Sequence, residues 1–339
     1  MSNKRKVGII FGGQSSEYEV SLQSSKNVLE NIDRDKFDVV MIGISREGVW
    51  YEYTGEIENI PNDSWVTSST KFSMDRFFSG EFDAVFPVMH GKNCEDGSLQ
   101  GFFKIAGIPF VGAGVTSSAV GMDKAFSKLA FDYAGIPQCD YVVFNRSDVD
   151  LEIDDVIEKI EKKLGYPCFV KPANTGSSVG VSKAKDRTML ETAIETALKY
   201  DDKVLVEEFF DGREIESSVI GNGDIEVSML GEIIPDNEFY DYESKYINDQ
   251  YIAELPAKLS DEDTKSIRSM AVKAYRAIDC KGLARVDFFV HKETGKIVLN
   301  EINTLPGFTK ISMYPRLWIA GGLEYKDLIT KLIELAMEG

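Results

Sequence analysis

A chain of 339 residues is too long for one ordinary core, so two or three domains are expected. Lys and Arg number 38 against 56 Asp and Glu, a formal charge of −18, which argues against nucleic acid or an anionic membrane as partner. No stretch approaches the roughly 18–20 apolar residues of a membrane span. Cys94, Cys139, Cys168 and Cys280 form no CxxC pair, so neither a disulfide framework nor a zinc site is suggested, and a cytoplasmic location is the expectation.

Lys4-Arg5-Lys6 precedes an apolar run, Val7 to Phe11, that is too short for a secretory leader and stops at Gly12-Gly13. That run reads as a strand and is followed by a loop, a helix from Glu19 to Glu30 and an alternating strand from Phe37 to Ile44. Ala84 to Val88 reads as a buried strand and Ser98 to Ala106 as a helix. This repetition implies a parallel sheet flanked by helices, with ligand groups in the loops at the carboxyl ends of the strands. Beyond Gly112-Ala113-Gly114, helices from Lys124 to Ala134, Leu151 to Leu164 and Arg187 to Tyr200 surround strands at Tyr141 to Phe144, Cys168 to Lys171 and Val204 to Glu208. A strand-rich remainder follows, with a long polar stretch, Asp236 to Gln250, and a helix from Asp261 to Ile278 that Ser260 can cap. The fold class is therefore mixed α/β and α+β. Three domains are expected, at 1–112, 113–211 and 212–339.

The most chemically loaded pattern is a hairpin. Leu283 to Val290 and Ile297 to Ile302 alternate, and a three-residue turn, Glu293-Thr294-Gly295, sets Asp287 opposite Glu301 and Arg285 opposite Asn303. Two carboxylates, an amide and a guanidinium then share one face, a hard-oxygen set suited to Mg²⁺. Asn300 falls on the opposite, apolar face as its one exception. The plain alternative is a solvated face with cross-strand ion pairs. For phosphate, no GxxxxGK[ST] or GxGxxG occurs. Lys171, at the end of an apolar strand before a Gly/Ser loop, and Lys124, at a helix start, are candidate anion contacts.

Leu299-Asn300-Glu301-Ile302-Asn303-Thr304-Leu305-Pro306-Gly307-Phe308-Thr309 resembles the metal-site signature of the D-alanine–D-alanine ligase family, within the ATP-grasp superfamily. Further segments match in the same order along the chain. They are Gly12 to Ser21, His90 to Gly97, Met122-Asp123-Lys124, Val170-Lys171-Pro172, Gly176 to Gly180 and Tyr240 to Tyr246. The resemblance implies a three-domain ATP-grasp fold, ATP as co-substrate with two Mg²⁺ or Mn²⁺, and D-alanine plus a second D-amino acid as partners, in a homodimer. It implies ATP contacts at Lys124, Lys171, Ser177, Glu207, Glu208, Phe209, Glu214, Lys245 and Asn300, and metal contacts at Asp287, Glu301 and Asn303. Glu17 is implied to meet the first D-alanine ammonium and to join Ser177 and Tyr246 in closing the site, with Asp236 to Gln250 as lid. Arg285 is implied to stabilise the oxyanion. His90, Gly307, Ser312 and Met313 are implied to line the substrate subsites, while Lys310 departs from the small residues usual at its place.

The reaction so implied makes D-alanyl-D-alanine, for peptidoglycan precursors, through a D-alanyl phosphate. Use of D-serine, or less readily D-lactate, as second substrate is the nearest alternative. A remote one is a serine hydrolase, since Gly176-Ser177-Ser178-Val179-Gly180 satisfies GxSxG and His291 lies downstream. Such an elbow needs a helix after it; here Val179 to Ser182 reads as a strand.

Overall fold

An uninterrupted apolar run such as Val7–Phe11 suits a strand covered on both faces, and Val7, Ile9, Ile10 and Phe11 are all fully buried. In the computed structural model, which describes residues 4–235 and 251–338, it is an interior strand of a five-stranded sheet. β1 (Arg5–Gly12) is followed by β2 (Phe37–Ile44), β3 (Trp50–Tyr53), β4 (Thr70–Lys71) and β5 (Ala84–Pro87), in the spatial order β4-β3-β2-β1-β5. Only β1, β2 and β5 run parallel. β3 and β4 add antiparallel edges, so the all-parallel expectation holds for the three strands that carry the loops of interest.

The helix α1 (Tyr18–Asn31) leaves β1 through Gly12-Gly13, and α2 (Ser98–Ala106) follows β5, after which the chain comes back alongside β5 to bridge Phe110 with Val85. Gly12 has φ +85°, and a Cβ there would meet the Ile44 carbonyl oxygen at 2.1 Å. Only glycine fits this turn. Ser21 pins it: its Oγ accepts from the Gly12 N–H at 2.8 Å and donates to the Val88 carbonyl at 2.6 Å, tying together the loops after β1 and β5.

A second, four-stranded sheet is antiparallel throughout, in the order β6-β9-β7-β8. α3 (Val115–Met122) and α4 (Lys124–Tyr133) lead into β6 (Tyr141–Asn145), then α5 (Arg146–Lys163), β7 (Cys168–Pro172), β8 (Ser182–Ala184), α6 (Arg187–Ala197) and β9 (Lys203–Glu208). α5 begins five residues before the expected Leu151. Asn145 and Asp148 form a capping box at its start, and the helix is broken at Glu152, which masks the periodicity of its first turns. β8 begins only at Ser182, because Ser177 to Gly180 form a turn rather than the strand expected from Val179.

The third sheet, β12-β11-β10-β13-β14, is also antiparallel. It comprises β10 (Gly212–Ile220), β11 (Glu226–Pro235), β12 (Tyr251–Glu254), β13 (Leu283–His291) and β14 (Ile297–Asn303). α7 (Asp261–Ala277), capped by the Ser260 hydroxyl on the Asp263 N–H, packs Ile267, Ala271 and Tyr275 against it. Phe131 and Ile136 enter the same core, so α4 bridges the second and third sheets. α8 (Met313–Ala320) and α9 (Tyr325–Met337) then return to the first sheet, where Trp318, Leu328, Ile329 and Leu332 join the core around β1. No described helix is long and apolar enough to cross a membrane.

Candidate active site

The three sheets converge on a cavity of about 870 Å³, lined from all of them. From the first sheet comes Glu17, at the mouth of α1 and only 5% exposed. Its nook is made by glycines: a Cβ on Gly91 would meet Glu17 Oε2 at 2.5 Å, and one on Gly176 would meet it at 3.4 Å. Ser177 Oγ donates to the Glu17 carboxylate across 160 residues of chain. Ser177 and Ser178 hold left-handed φ values of 52° and 60°, a conformation uncommon for residues with a Cβ and concentrated at functional sites. The predicted Glu17–Ser177 contact is therefore present. Tyr246, Lys245 and the expected lid lie outside the described residues.

The second sheet supplies the cations. Lys171 on β7 and Glu207 on β9 are diagonal neighbours on one face and pair at 2.5 Å. Glu207's other oxygen is 2.6 Å from Lys128 Nζ, which reaches in from α4. Burial alone would raise the Glu207 carboxyl, but Lys171 and Lys128 outweigh it and hold it down to about 2. Lys171 is likewise pulled two ways, lowered by burial and raised by Glu207, with the upward shift prevailing. The sequence reading passed over Lys128. Its signal was there: it follows Lys124 by four positions on a helix, which puts both on one face. Lys124 itself donates from Nζ to the Thr175 carbonyl at 2.6 Å, while Asp123 caps α4 and pairs with Lys203 at 2.6 Å.

Phe169, Phe209 and Phe289 line an aromatic stretch of the same cavity, with Lys183 Nζ 4.3 Å from the Phe209 ring centre. Flat apolar faces of this kind suit a heteroaromatic base. The backbone N–H groups of Glu208 and Phe209, two of the implied ATP contacts, already donate to the Asp140 and Pro167 carbonyls. Phe210, which also lines the cavity, is the next residue, and its N–H has no protein partner among the described residues. Nothing in the sequence singles out this unpaired donor. Burial pushes the neighbouring Cys139 thiol up to about 12, making it an apolar lining group rather than a nucleophile.

The third sheet contributes Glu214, Arg285, Asn300, Glu301 and Asn303 to the lining. The hairpin register is as expected at the site, with Arg285 opposite Asn303 and Asp287 opposite Glu301. Nearer the turn it is not. Val290 pairs with Ile297 and Phe288 with Leu299, one position off the three-residue-turn reading, and a bulge at Asn300 restores the register. The bulge also resolves the apolar-face exception. Leu299 fills the core and Asn300 is released to the cavity beside Glu301. Arg285 spans Asp287 with Nε–Oδ1 at 2.8 Å and Nη2–Oδ2 at 2.7 Å, and approaches Glu216 at 3.2 Å. Asp287 is fully buried behind this fork. Two carboxylates and an amide oxygen on one hairpin face fit a hard divalent cation, which would share Asp287 with Arg285.

Four further candidates stand back from the cavity wall. His90 is buried, with Nε2 3.3 Å from Ser24 Oγ and Nδ1 3.2 Å from the Leu305 carbonyl. Gly307 is buried in the loop after β14. Ser312 Oγ accepts from the Thr309 N–H at 3.0 Å, and the Met313 side chain packs with Ile233 and Leu317. Lys310 is exposed. His291, the hydrolase candidate base, accepts the Glu293 and Thr294 N–H groups in the hairpin turn, and Ser177 is bonded instead to Glu17.

Comparison with known proteins decides the family. Residues 6–113 match the family model for the D-ala D-ala ligase N-terminus, and residues 130–334 that for its C-terminus. The D-alanine–D-alanine ligase of Acetivibrio thermocellus is 52% identical over all of this chain and 97% of its own. The chain belongs to the D-alanine–D-alanine ligase family. The Ruminiclostridium cellulolyticum member is 53% identical, over 99% of this chain and 96% of its own. Two solved ligases share the ATP-grasp fold. The VanG D-Ala:D-Ser ligase from Enterococcus faecalis gives a TM-score of 0.89 at 41% identity, covering 98% of this chain and all of that one. The D-alanine–D-alanine ligase from Coxiella burnetii gives 0.88 at 35% identity, covering 99% and 94%. Membership in this ligase family leaves the hydrolase reading of Gly176 to Gly180 without support.

Proposed function

We propose that the chain joins two D-alanines to D-alanyl-D-alanine, with ATP cleaved to ADP and phosphate, in the cytoplasmic synthesis of peptidoglycan precursors. The observation that carries this is the Glu17–Ser177 contact. It brings a carboxylate able to hold an ammonium to the loop beside Lys171, within one cavity that also holds Arg285, Glu301 and Asn303. A carboxylate oxygen of the first D-alanine attacks the γ-phosphorus, the bond to the ADP oxygen breaks, and an acyl phosphate forms. The amine of the second D-alanine attacks that carbonyl, loses a proton, and phosphate departs.

Lys124 and Lys171 bind phosphate oxygens, and the Phe169–Phe209 faces hold the base, with Phe210 N–H and the Glu208 carbonyl at its edge. Glu214 takes the ribose. Arg285 meets the carbonyl oxygen as it gains charge, where a rigid planar fork is matched to the developing oxyanion. Asp287, Glu301 and Asn303 would hold Mg²⁺ or Mn²⁺, which neutralises charge on the transferring phosphoryl group. Glu17 orients the first ammonium, and Gly307, Ser312 and Met313 shape the second subsite. We further assign the three domains to 1–112, 113–211 and 212–339, with a homodimer as the working assembly.

A second reading, D-serine as the acceptor, is favoured by the likeness to the VanG D-Ala:D-Ser ligase. The test is ATP-dependent phosphate release with D-alanine alone, with added D-serine and with added D-lactate, products being identified by mass. D-alanyl-D-alanine as the main product of every mixture is the expected result. A predominant mixed product moves the acceptor assignment to D-serine or D-lactate, and no turnover with any of them overturns the reading.

A further inference from the structure

After β14 the chain runs without regular structure from Thr304 to Ser312, yet distant side chains hold its backbone. The Phe308 carbonyl accepts from Asn27 Nδ2 at 2.8 Å and from the Tyr325 hydroxyl at 3.0 Å, and these two donor groups are themselves 3.0 Å apart. The Phe308 N–H donates to Ser24 Oγ at 3.2 Å. The same hydroxyl meets His90 Nε2, whose Nδ1 is 3.2 Å from the Leu305 carbonyl. Asn303 Oδ1 accepts from the Leu305 N–H at 2.9 Å, which joins the start of the loop to the hairpin. Ser24, Asn27 and His90 are buried, and Tyr325 is half-buried at the start of α9.

Between these anchors lies one exception. Pro306 has no N–H, and the N–H of buried Gly307 has no protein partner among the described residues. A buried, unpaired backbone donor is rare and costly, so its persistence beside two clamped neighbours points to a ligand oxygen.

We propose that Ser24, Asn27 and Tyr325 are positioning residues. They fix the Leu305–Phe308 segment from two separate helices, so that the Gly307 N–H is held for the oxygen that gains charge when the second amine attacks. This rests on the ligase reading above. None of the three touches substrate. Each acts through the Phe308 peptide, with His90 completing the clamp at Leu305. Two donors converging on one carbonyl leave it little freedom, and a displacement of even 1 Å in such a donor can cost about a hundredfold in rate.

The test uses Tyr325→Phe and Asn27→Ala in the full chain, with Thr330→Val as comparison. Thr330 lies on the same helix α9 and donates to the Lys326 carbonyl at 2.9 Å, remote from the loop. The expected result is a fall in kcat/KM for D-alanine of about threefold to tenfold for Tyr325→Phe and about tenfold or more for Asn27→Ala, with the KM for ATP within about twofold of wild type. Thr330→Val is expected to lower the melting temperature comparably and leave kcat/KM for D-alanine unchanged. If the clamp variants lose activity only as far as Thr330→Val does, or raise the KM for ATP equally, the positioning role is wrong. Absence of D-alanine-dependent ATP turnover in the wild-type chain would instead overturn the ligase reading, and this inference with it.

Discussion

Glu207→Gln tests whether the buried carboxylate between Lys128 and Lys171 organises the nucleotide end of the cavity. Glu207 is 5% exposed and Lys128 is 2% exposed, so the substitution leaves a buried ammonium without its anion. Breaking a buried pair in this way costs roughly 3–5 kcal/mol. The depressed Glu207 carboxyl gives a second route to the magnitude. The carboxyl is lowered from 4.5 to about 2, which corresponds to about 3 kcal/mol of folded-state preference for the ionised form. A depressed folded pKa contributes stability above the unfolded value, and that contribution fades as pH falls from about 4.5 towards about 2. By about pH 3.5 some 1 kcal/mol of it is gone, so the gap between wild type and Glu207→Gln narrows there. Calorimetry at both pH values, with hydrogen exchange of the β7 and β9 amides, measures the gap and locates it. The same variant is expected to raise the KM for ATP about tenfold or more, because Lys171 loses its partner. A variant as stable as wild type at neutral pH, or a gap that does not shrink with acid, refutes the reasoning.

Gly12→Ala forces a Cβ onto the Ile44 carbonyl at positive φ and is expected to destabilise the chain by roughly 2–4 kcal/mol in urea unfolding. Ser177→Ala removes a hydroxyl bonded to a buried carboxylate and should raise the KM for D-alanine about tenfold or more, with that for ATP within about twofold. Replacing Glu301 by Gln should raise the Mg²⁺ concentration for half-maximal turnover at least about tenfold while the thermal midpoint stays near wild type; an unchanged metal requirement counts against the hairpin site. ATP titrated calorimetrically in excess chelator should bind at least about a hundredfold more weakly than with Mg²⁺, and equal binding would falsify a metal-dependent pocket.

Much of the scaffold was legible because its patterns are local. β2 and α2 match their expected bounds, Phe37–Ile44 and Ser98–Ala106, since period-two alternation and helical periodicity need no tertiary information. The polar hairpin face was readable for the same reason. The bulge at Asn300 was not. A register shift is settled by what packs on both faces, and here Leu299 takes the core position that simple alternation gives to Asn300. Lys128 and Phe210 were missed because their meaning lies across the chain, in Glu207 and in the N–H groups already used by Glu208 and Phe209. His90 and Met313 were placed in the site by resemblance. The structure shows the ring of one tied to Ser24 and Leu305, and the thioether of the other packed beside Ile233.

A chain of formal charge −18 must still hold a polyanionic triphosphate, and local composition alone does not solve that problem. Among the described residues lining the cavity, six are cationic and eight are carboxylates. Lys171 is paired with Glu207, Arg213 with Glu232 and Lys292 with Asp211, so much of the positive charge is already engaged. Such pairing orders the lysines and arginines without leaving a net positive field. The carboxylates of the β13–β14 hairpin deepen the deficit unless a divalent cation covers them. An acidic fold of this kind can therefore discriminate for a metal-bound nucleotide over the bare anion. On the proposed metal assignment, the charge pattern that argues against nucleic acid as partner would also make the metal a condition of nucleotide binding.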